Sequence, residues 1–370
     1  MKKITNIAFF INSLNGGGAE KVLSLIANEL VKNRKIIIIT LDKYTHSIYE
    51  LDKRIKVIYI GFKNDCDKSS INKISDFFKI PLKLAKIINK HKIDVVVSFL
   101  IRANLINSIT TFISSHKLVL TEHSILSKEV SRNPAVRFLI SLLFNRAKKI
   151  IVVSNCAGSD LTQNFKIKKS IITTIYNPIE LDKINSLMFL KINNYIKRWI
   201  NNTFTLCFVG RLEKSKNLDI TIKAISKINN IQLLIIGHGS EENKLKKYSK
   251  DLNVENRVLF LGWVKNPYKY IHESNCLILP SKWESFGNVV FESVFCKTPV
   301  ITSDIPALRE VHYLLNKQTT LFKDNDLNDL VLKVNSLMKE KEIKRKNIAI
   351  GNKLNVKIVT KKYLSLISEI

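Results

Sequence analysis

Hydrophobic residues in this chain fall in short unbroken runs, rich in Ile and Val. Longer stretches separate the runs, and in several of these apolar positions recur every three or four residues. The first half carries NIAFFI (6–11), KIIIIT (35–40), KVIYI (56–60), DVVVSFL (94–100), KLVLTE (117–122), KIIVVS (149–154) and SIITTIY (170–176). The second carries TFTLCFVG (203–210), IQLLIIG (231–237), RVLFLG (257–262), NCLILP (275–280) and TPVITSD (298–304). Continuous rather than alternating apolar runs predict strands covered on both faces, hence parallel sheets with helices between the strands. Helical spacing is clear at 19–32, 71–91 and 288–296. Two such arrays in succession predict an α/β chain with two Rossmann-like domains. The expected division is an N-terminal domain at 1–178, a linker at 179–202 that lacks a strand pattern and is rich in Asn and Lys, and a C-terminal domain at 203–345. A helix at 346–370 is expected to pack back on the first domain. No fixed-period repeat and no low-complexity tract is present.

Length and composition agree with two globular domains: 370 residues, 45% hydrophobic and 25% charged. The net charge is the unusual quantity, +29, with lysines spread along the whole chain. Heavy use of Ile, Lys and Asn accounts for part of it; the remainder predicts attraction to an anionic partner such as nucleic acid, acidic lipid or a diphosphate. The five cysteines, Cys66, Cys156, Cys207, Cys276 and Cys296, are widely spaced with no C-x-x-C, which fits neither a disulfide framework nor a zinc site and suggests a reducing compartment. Seven histidines show no ligand spacing, so no metal site is expected. MKKITNIAFFINSL has too short an apolar run, followed by GGGAE, to read as a signal peptide, and no run is long enough to span a bilayer.

Three stretches carry candidate chemistry. NGGGAEKVLSLIANEL opens a helix after the first strand, and Gly16, Gly17 and Gly18 let a ligand approach the backbone at the positive end of that helix. A flexible strand–helix turn remains the alternative. FVGRLEKSKNLDITIKA (208–224) sets Arg211 and Lys216 just before a helix, an arrangement suited to a diphosphate, although a solvated charge cluster fits the same residues. ESFGNVVFE (284–292) puts Glu284 in a loop at the carboxyl end of a strand and Glu292 one turn inside the next helix, with Gly287 allowing a tight turn between them. Two acids so placed suit vicinal hydroxyls of two sugars, and the Phe286, Gly287 and Asn288 amides suit phosphate or sugar oxygens. The bland reading is a helix cap and a solvated face. DND at 324–326 and the acceptor pattern Asn201-Asn202-Thr203 are set aside, the first as a loop and the second for want of a secretory context.

Taken together, GGGAE, TEHS (121–124), GRLEKSKN (210–217), the E-x7-E at 284–292 and SDIPALRE (303–310) resemble glycosyltransferase family 4, over roughly residues 4–312. The resemblance implies a retaining enzyme of GT-B architecture, its two parallel sheets facing across a cleft, with an acceptor-side first domain and a nucleotide-sugar donor side in the second. It implies that Arg211 and Lys216 bind the donor diphosphate, that Glu284 holds the donor hexose and that Glu292 holds the ribose. Phe286, Gly287 and Asn288 would present backbone to sugar and phosphate, the glycines at 16–18 would face donor phosphate and acceptor, and His123 would lie near the transferred sugar. No cofactor or metal is implied. The family's usual glycine after the lysine is Asn217 here, and the glycine-rich turn often found near 310–320 is missing.

The expected reaction is hexosyl transfer from a nucleotide diphosphate sugar, with UDP favoured over GDP, to a saccharide acceptor carried on a polyprenyl diphosphate. Such an acceptor, with the positive charge, places the expected protein in the cytoplasm, peripherally at an anionic membrane face. The stretch 71–92, with Ile74, Phe77, Phe78 and Leu82 among lysines, fits an interfacial helix and equally a core-facing helix with a basic outer face. Competing classes are a basic nucleic-acid-binding protein, which lacks a reading module here, an NAD-linked oxidoreductase, which lacks G-x-G-x-x-G, and a nucleotide-sugar epimerase on the same fold.

Overall fold

The computed structural model describes residues 6–42, 49–61, 70–340 and 353–370, and only the backbone for 70–78. Cys66 and residues 346–352 therefore lie outside the described residues, as do the side chains of Ile74, Phe77 and Phe78. The chain divides into two compact units, Met1–Pro178 together with Lys353–Ile370, and Ile179–Asn352.

The first unit is built on a seven-stranded sheet of β1 (Asn6–Ile11), β2 (Lys35–Thr40), β3 (Lys56–Tyr59), β4 (Val95–Phe99), β5 (Lys117–Glu122), β6 (Lys149–Val152) and β7 (Ile172–Thr174), in the order β3-β2-β1-β4-β5-β6-β7. Every pairing is parallel. Alternation along β1 feeds two cores: Ile7, Phe9 and Ile11 join one cluster, while Ala8 and Phe10 join another on the opposite face. Helix Gly18–Leu30 buries Val22, Leu23, Ile26 and Ala27 in the first cluster, and helix Val356–Ser368 adds Val359, Tyr363, Leu366 and Ile367 to it. On the other face Ile80, Leu84 and Ile88 of helix Ser70–His91 pack inward, so the described half of that helix spends most of its apolar stripe on the sheet.

The second unit repeats the plan with β8 (Phe204–Val209), β9 (Ile231–Ile236), β10 (Val258–Gly262), β11 (Cys276–Leu279), β12 (Val300–Ser303) and β13 (Thr320–Phe322), ordered β10-β9-β8-β11-β12-β13 and again parallel throughout. Both sheets thus have Rossmann order, and both reverse direction beside their first strand, between β1 and β4 and between β8 and β11. Residues 179–202 form helices Leu181–Leu187 and Asn194–Asn202 of this unit, held by the buried Ile184, Met188, Ile192 and Ile200. Cys207, Cys276 and Cys296 are free and buried and Cys156 is free and half-buried; burial raises the Cys207 thiol to about 12. Asp326 of the DND stretch caps helix Leu327–Lys339, accepting the N–H groups of Asn328 and Asp329.

Candidate functional site

In the second unit, β8 and β11 end side by side at the point where strand order reverses, where open α/β sheets offer a ligand crevice. After β8, the Gly210 N–H bonds Ile236 O at 3.0 Å, and the buried Leu212 donates its N–H to His238 O at 2.8 Å. Arg211, between them, is left exposed with Nη1 3.2 Å from Glu213 Oε1. One short turn, Lys214–Lys216, leads to Asn217, whose φ of +53° lies in the left-handed region, and helix Leu218–Lys227 follows. Glycine takes that conformation without cost and asparagine is among the few other residues that tolerate it, which explains Asn217 in the place of the usual glycine.

After β11 the buried Ser281 donates its hydroxyl to Glu284 Oε1 at 2.9 Å, and the same oxygen receives Lys216 Nζ at 2.5 Å. The Lys282 N–H donates to Ser215 O at 2.8 Å. An ion pair and a backbone bond therefore stitch the two loops together. The Lys216 and Glu284 side chains are only 20% and 11% exposed, so solvent screens their attraction poorly. Beyond Glu284, Phe286 is buried and stacks on Phe291, centroids 4.9 Å apart. That stack anchors the turn at Gly287, φ +74°, from which helix Asn288–Phe295 starts with no side-chain cap from Gly287. Phe286 thus contributes packing through its ring, leaving its backbone at the turn. Glu292 is half-buried in the second turn of that helix. An ammonium and a carboxylate therefore meet where the loops after β8 and β11 leave this sheet, with the Arg211 guanidinium in the first loop and Glu292 in the helix that follows the second.

The first unit brings a second group to its own reversal. Gly16, φ +96°, follows β1, and Gly17 leads into helix Gly18–Leu30 without a side-chain cap. A methyl group on Gly17 would stand 2.5 Å from Glu20 Oε2, so the space beside this glycine is taken by a carboxylate from the first turn of the helix that follows. Phe99, at the end of β4, stacks on the His123 ring with centroids 5.3 Å apart. Next to it Leu100 has φ +72°, a costly conformation for a bulky residue. His123 Nε2 is shielded from solvent and has no hydrogen-bond partner, and burial drives the imidazole pKa down to about 3, so the ring is neutral.

Glu122, which ends β5, is completely buried. Its Oε1 accepts the N–H of His123 at 3.1 Å, the N–H of Ser124 at 3.2 Å and the Ser124 hydroxyl at 2.7 Å. Its Oε2 lies 3.4 Å from Asn104 Nδ2, and Asn104 in turn accepts from the Ser98 hydroxyl. Burial, reinforced by Glu129, raises the Glu122 carboxyl to about 7 against these donors. The buried carboxylate shapes the turn that carries His123.

Comparison with known proteins now bears on this arrangement. Residues 16–183 match the family model described as Glycosyltransferase Family 4, and residues 193–354 match that described as Glycosyl transferases group 1. A Campylobacter jejuni protein, N-acetylgalactosamine-N,N'-diacetylbacillosaminyl-diphospho-undecaprenol 4-alpha-N-acetylgalactosaminyltransferase, is 33% identical over 308 residues, 80% of each chain. The chain belongs to glycosyltransferase family 4. A second protein of that organism, GalNAc-alpha-(1->4)-GalNAc-alpha-(1->3)-diNAcBac-PP-undecaprenol alpha-1,4-N-acetyl-D-galactosaminyltransferase, is 28% identical over 305 residues, 80% of this chain and 79% of its own. The crystal structure of Anabaena Alr3699/HepE in complex with UDP-glucose superposes with a TM-score of 0.78 at 18% identity, covering 99% of this chain and 100% of that one. That likeness concerns the fold, which is GT-B.

In this glycosyltransferase, Lys216 and Glu284 touch, and Arg211 stands in the same loop as Lys216 but pairs with Glu213. Gly287 and Glu292 continue the Glu284 loop into its helix. Sequence reasoning missed Ser281, Glu122 and Leu100. Ser281 had a signal, a hydroxyl one residue past a strand end; Glu122 reads as an ordinary strand terminus until its burial is seen.

Proposed function

We propose that this glycosyltransferase moves a hexosyl unit from a UDP-sugar to a hydroxyl of a saccharide carried on a polyprenyl diphosphate, with the anomeric configuration retained and without a metal at the diphosphate. The observation that carries the reading is the Lys216–Glu284 pair at 2.5 Å where the second sheet reverses, beside Arg211. Lys216 and Arg211 offer positive charge to the leaving diphosphate. Glu284, already accepting from Ser281 and Lys216, turns its remaining acceptor capacity to hexose hydroxyls, and Glu292 serves the ribose. The Phe286–Asn288 backbone at the mouth of the helix meets sugar and phosphate oxygens.

On the acceptor side, the proposal assigns His123 a hydrogen bond from a neutral ring to the transferred sugar, and Gly16, Gly17 and Gly18 the closest backbone approach. Negative charge grows on the β-phosphate as the glycosidic bond breaks, and the leaving phosphate takes the proton of the attacking hydroxyl on the same face. The Campylobacter relatives act on undecaprenol-linked saccharides, which makes an N-acetylgalactosaminyl donor and an undecaprenyl diphosphate saccharide the first pair to try.

The test is transfer of label from UDP-sugars to a lipid-linked acceptor by purified protein, with product anomers assigned by NMR. Arg211→Ala and Lys216→Ala are each expected to lower kcat by about a hundredfold or more, as loss of a group aimed at developing charge commonly does. Near-normal turnover in both overturns the proposal.

A further inference from the structure

Helix Pro134–Phe144, PAVRFLISLLF, lies on the surface of the first unit yet is apolar on both sides. Its inner face, Ile140, Leu143 and Phe144, is buried in the cluster beneath β5 and β6. Its outer face leaves Phe138 71%, Leu139 52% and Leu142 55% exposed. With Ala135 these residues fall at helical spacing on one side, and Arg146 follows Leu142 by another turn. The Arg146 guanidinium lies 3.9 Å over the ring of Phe112, and its Nε donates to Thr111 Oγ1 at 3.1 Å. Phe112 and Ile113 are themselves 61% and 48% exposed, so Arg146 joins the helix face to a second apolar spot. A solvated helix normally presents charges outward; this one presents three large apolar side chains.

Cations dominate the charges around this surface, although Asp94, with Lys92 close by, lines the same hollow as Phe112 and Ile113. No acidic residue occurs between Glu129 and Asp160, while Arg132, Arg137, Arg146, Lys148 and Lys149 all do. Nor does any occur between Asp94 and Glu122, the segment that carries Phe112. A second copy of this chain docked about a two-fold axis would set cations against cations, in a protein already at +29. An anionic lipid surface meets both requirements: headgroups for the arginines and lysines, and the acyl boundary for Phe138, Leu139 and Leu142.

We infer that the outer face of helix Pro134–Phe144, extended through Arg146 to Phe112, docks on an anionic lipid bilayer. This deepens the proposed reading and rests on it for the lipid-carried acceptor. It assigns the contact to a different helix from the lysine-rich stretch at 71–92.

The test is flotation of the full chain with vesicles of phosphatidylglycerol and phosphatidylcholine, or of phosphatidylcholine alone, with neither donor nor acceptor present. Wild type is expected to float with the anionic vesicles only. Phe138→Ser combined with Leu142→Ser removes two already exposed apolar side chains and is expected to weaken partitioning by about tenfold or more. Leu332→Ser, at a 66% exposed leucine of the second unit, is expected to leave it unchanged. The double variant should also keep its transfer rate on a detergent-solubilised acceptor. The inference fails if wild type does not float, if the double variant floats like wild type, or if sedimentation shows a dimer that the double variant abolishes. A protein that floats but transfers no sugar leaves the docking intact and sinks only the transferase reading.

Discussion

Replacing Glu122 by Gln should change how the first unit's stability depends on pH. In the folded chain this buried carboxyl titrates near 7, against an ordinary value of 4.5. Between those values the native state holds a proton that the unfolded state has released, so stability falls as pH rises through the window. A displacement of about 2.5 pH units corresponds to about 3 kcal/mol. His123 acts with the opposite sign: its pKa falls from 6.5 to about 3, so its contribution is complete above 6.5 and fades as pH falls. The two effects oppose each other from about pH 4.5 to 6.5, and the wild-type profile alone conceals both. The difference between wild type and Glu122→Gln isolates the carboxyl, because Gln keeps an oxygen for the His123 and Ser124 donors. Urea unfolding followed by circular dichroism from pH 4 to 8 measures it. All three tryptophans, Trp199, Trp263 and Trp283, lie in the second unit, so their fluorescence provides an internal reference. The wild-type advantage over the variant should shrink by about 3 kcal/mol between pH 4.5 and 7 and then level off. A flat difference refutes the reasoning.

Three further outcomes are expected. Gly287→Ala forces a non-glycine residue to φ +74° and sets its methyl 2.8 Å from Leu308 Cδ2; it should cost about 1–2 kcal/mol in the second unit's fluorescence-detected unfolding, leaving the first unit's transition in place. Asn217→Gly should be nearly neutral for stability, whereas Asn217→Val, β-branched at φ +53°, should be destabilising by about 2 kcal/mol or more. Ser281→Ala removes one of two donors to Glu284 Oε1 and should weaken affinity for the proposed sugar donor, read as a raised KM for it, with a smaller change than Lys216→Ala produces.

The central strands were legible because they are buried on both faces, so runs such as IIII at 36–39 and VVV at 95–97 carry no competing polar period. β13 escaped notice because Thr320–Phe322 is three residues long, too short for any period to register. Residues 179–202 read as a linker because only a few scattered apolar residues, Ile184 and Ile200 among them, anchor their helices. In the second unit the Lys216–Glu284 contact joins residues 68 positions apart, and only the adjacency of β8 and β11 brings them together. The outer face of helix Pro134–Phe144 was invisible for a different reason: a run of apolar residues announces burial, and periodicity does not report which side of a helix lacks a neighbour.

Helix Gly18–Leu30, which carries the glycine loop at its head, shares its cluster with Val359, Tyr363, Leu366 and Ile367. Helix Gly18–Leu30 therefore leaves the ribosome long before helix Val356–Ser368, which supplies part of its cover. During that interval Val22, Leu23 and Ile26 lack part of their native cover, and the first unit cannot mature ahead of the second in the usual amino-to-carboxyl order. A ribosome that stops after residue 340 would release a chain with every described strand present but without the helix that completes this cluster.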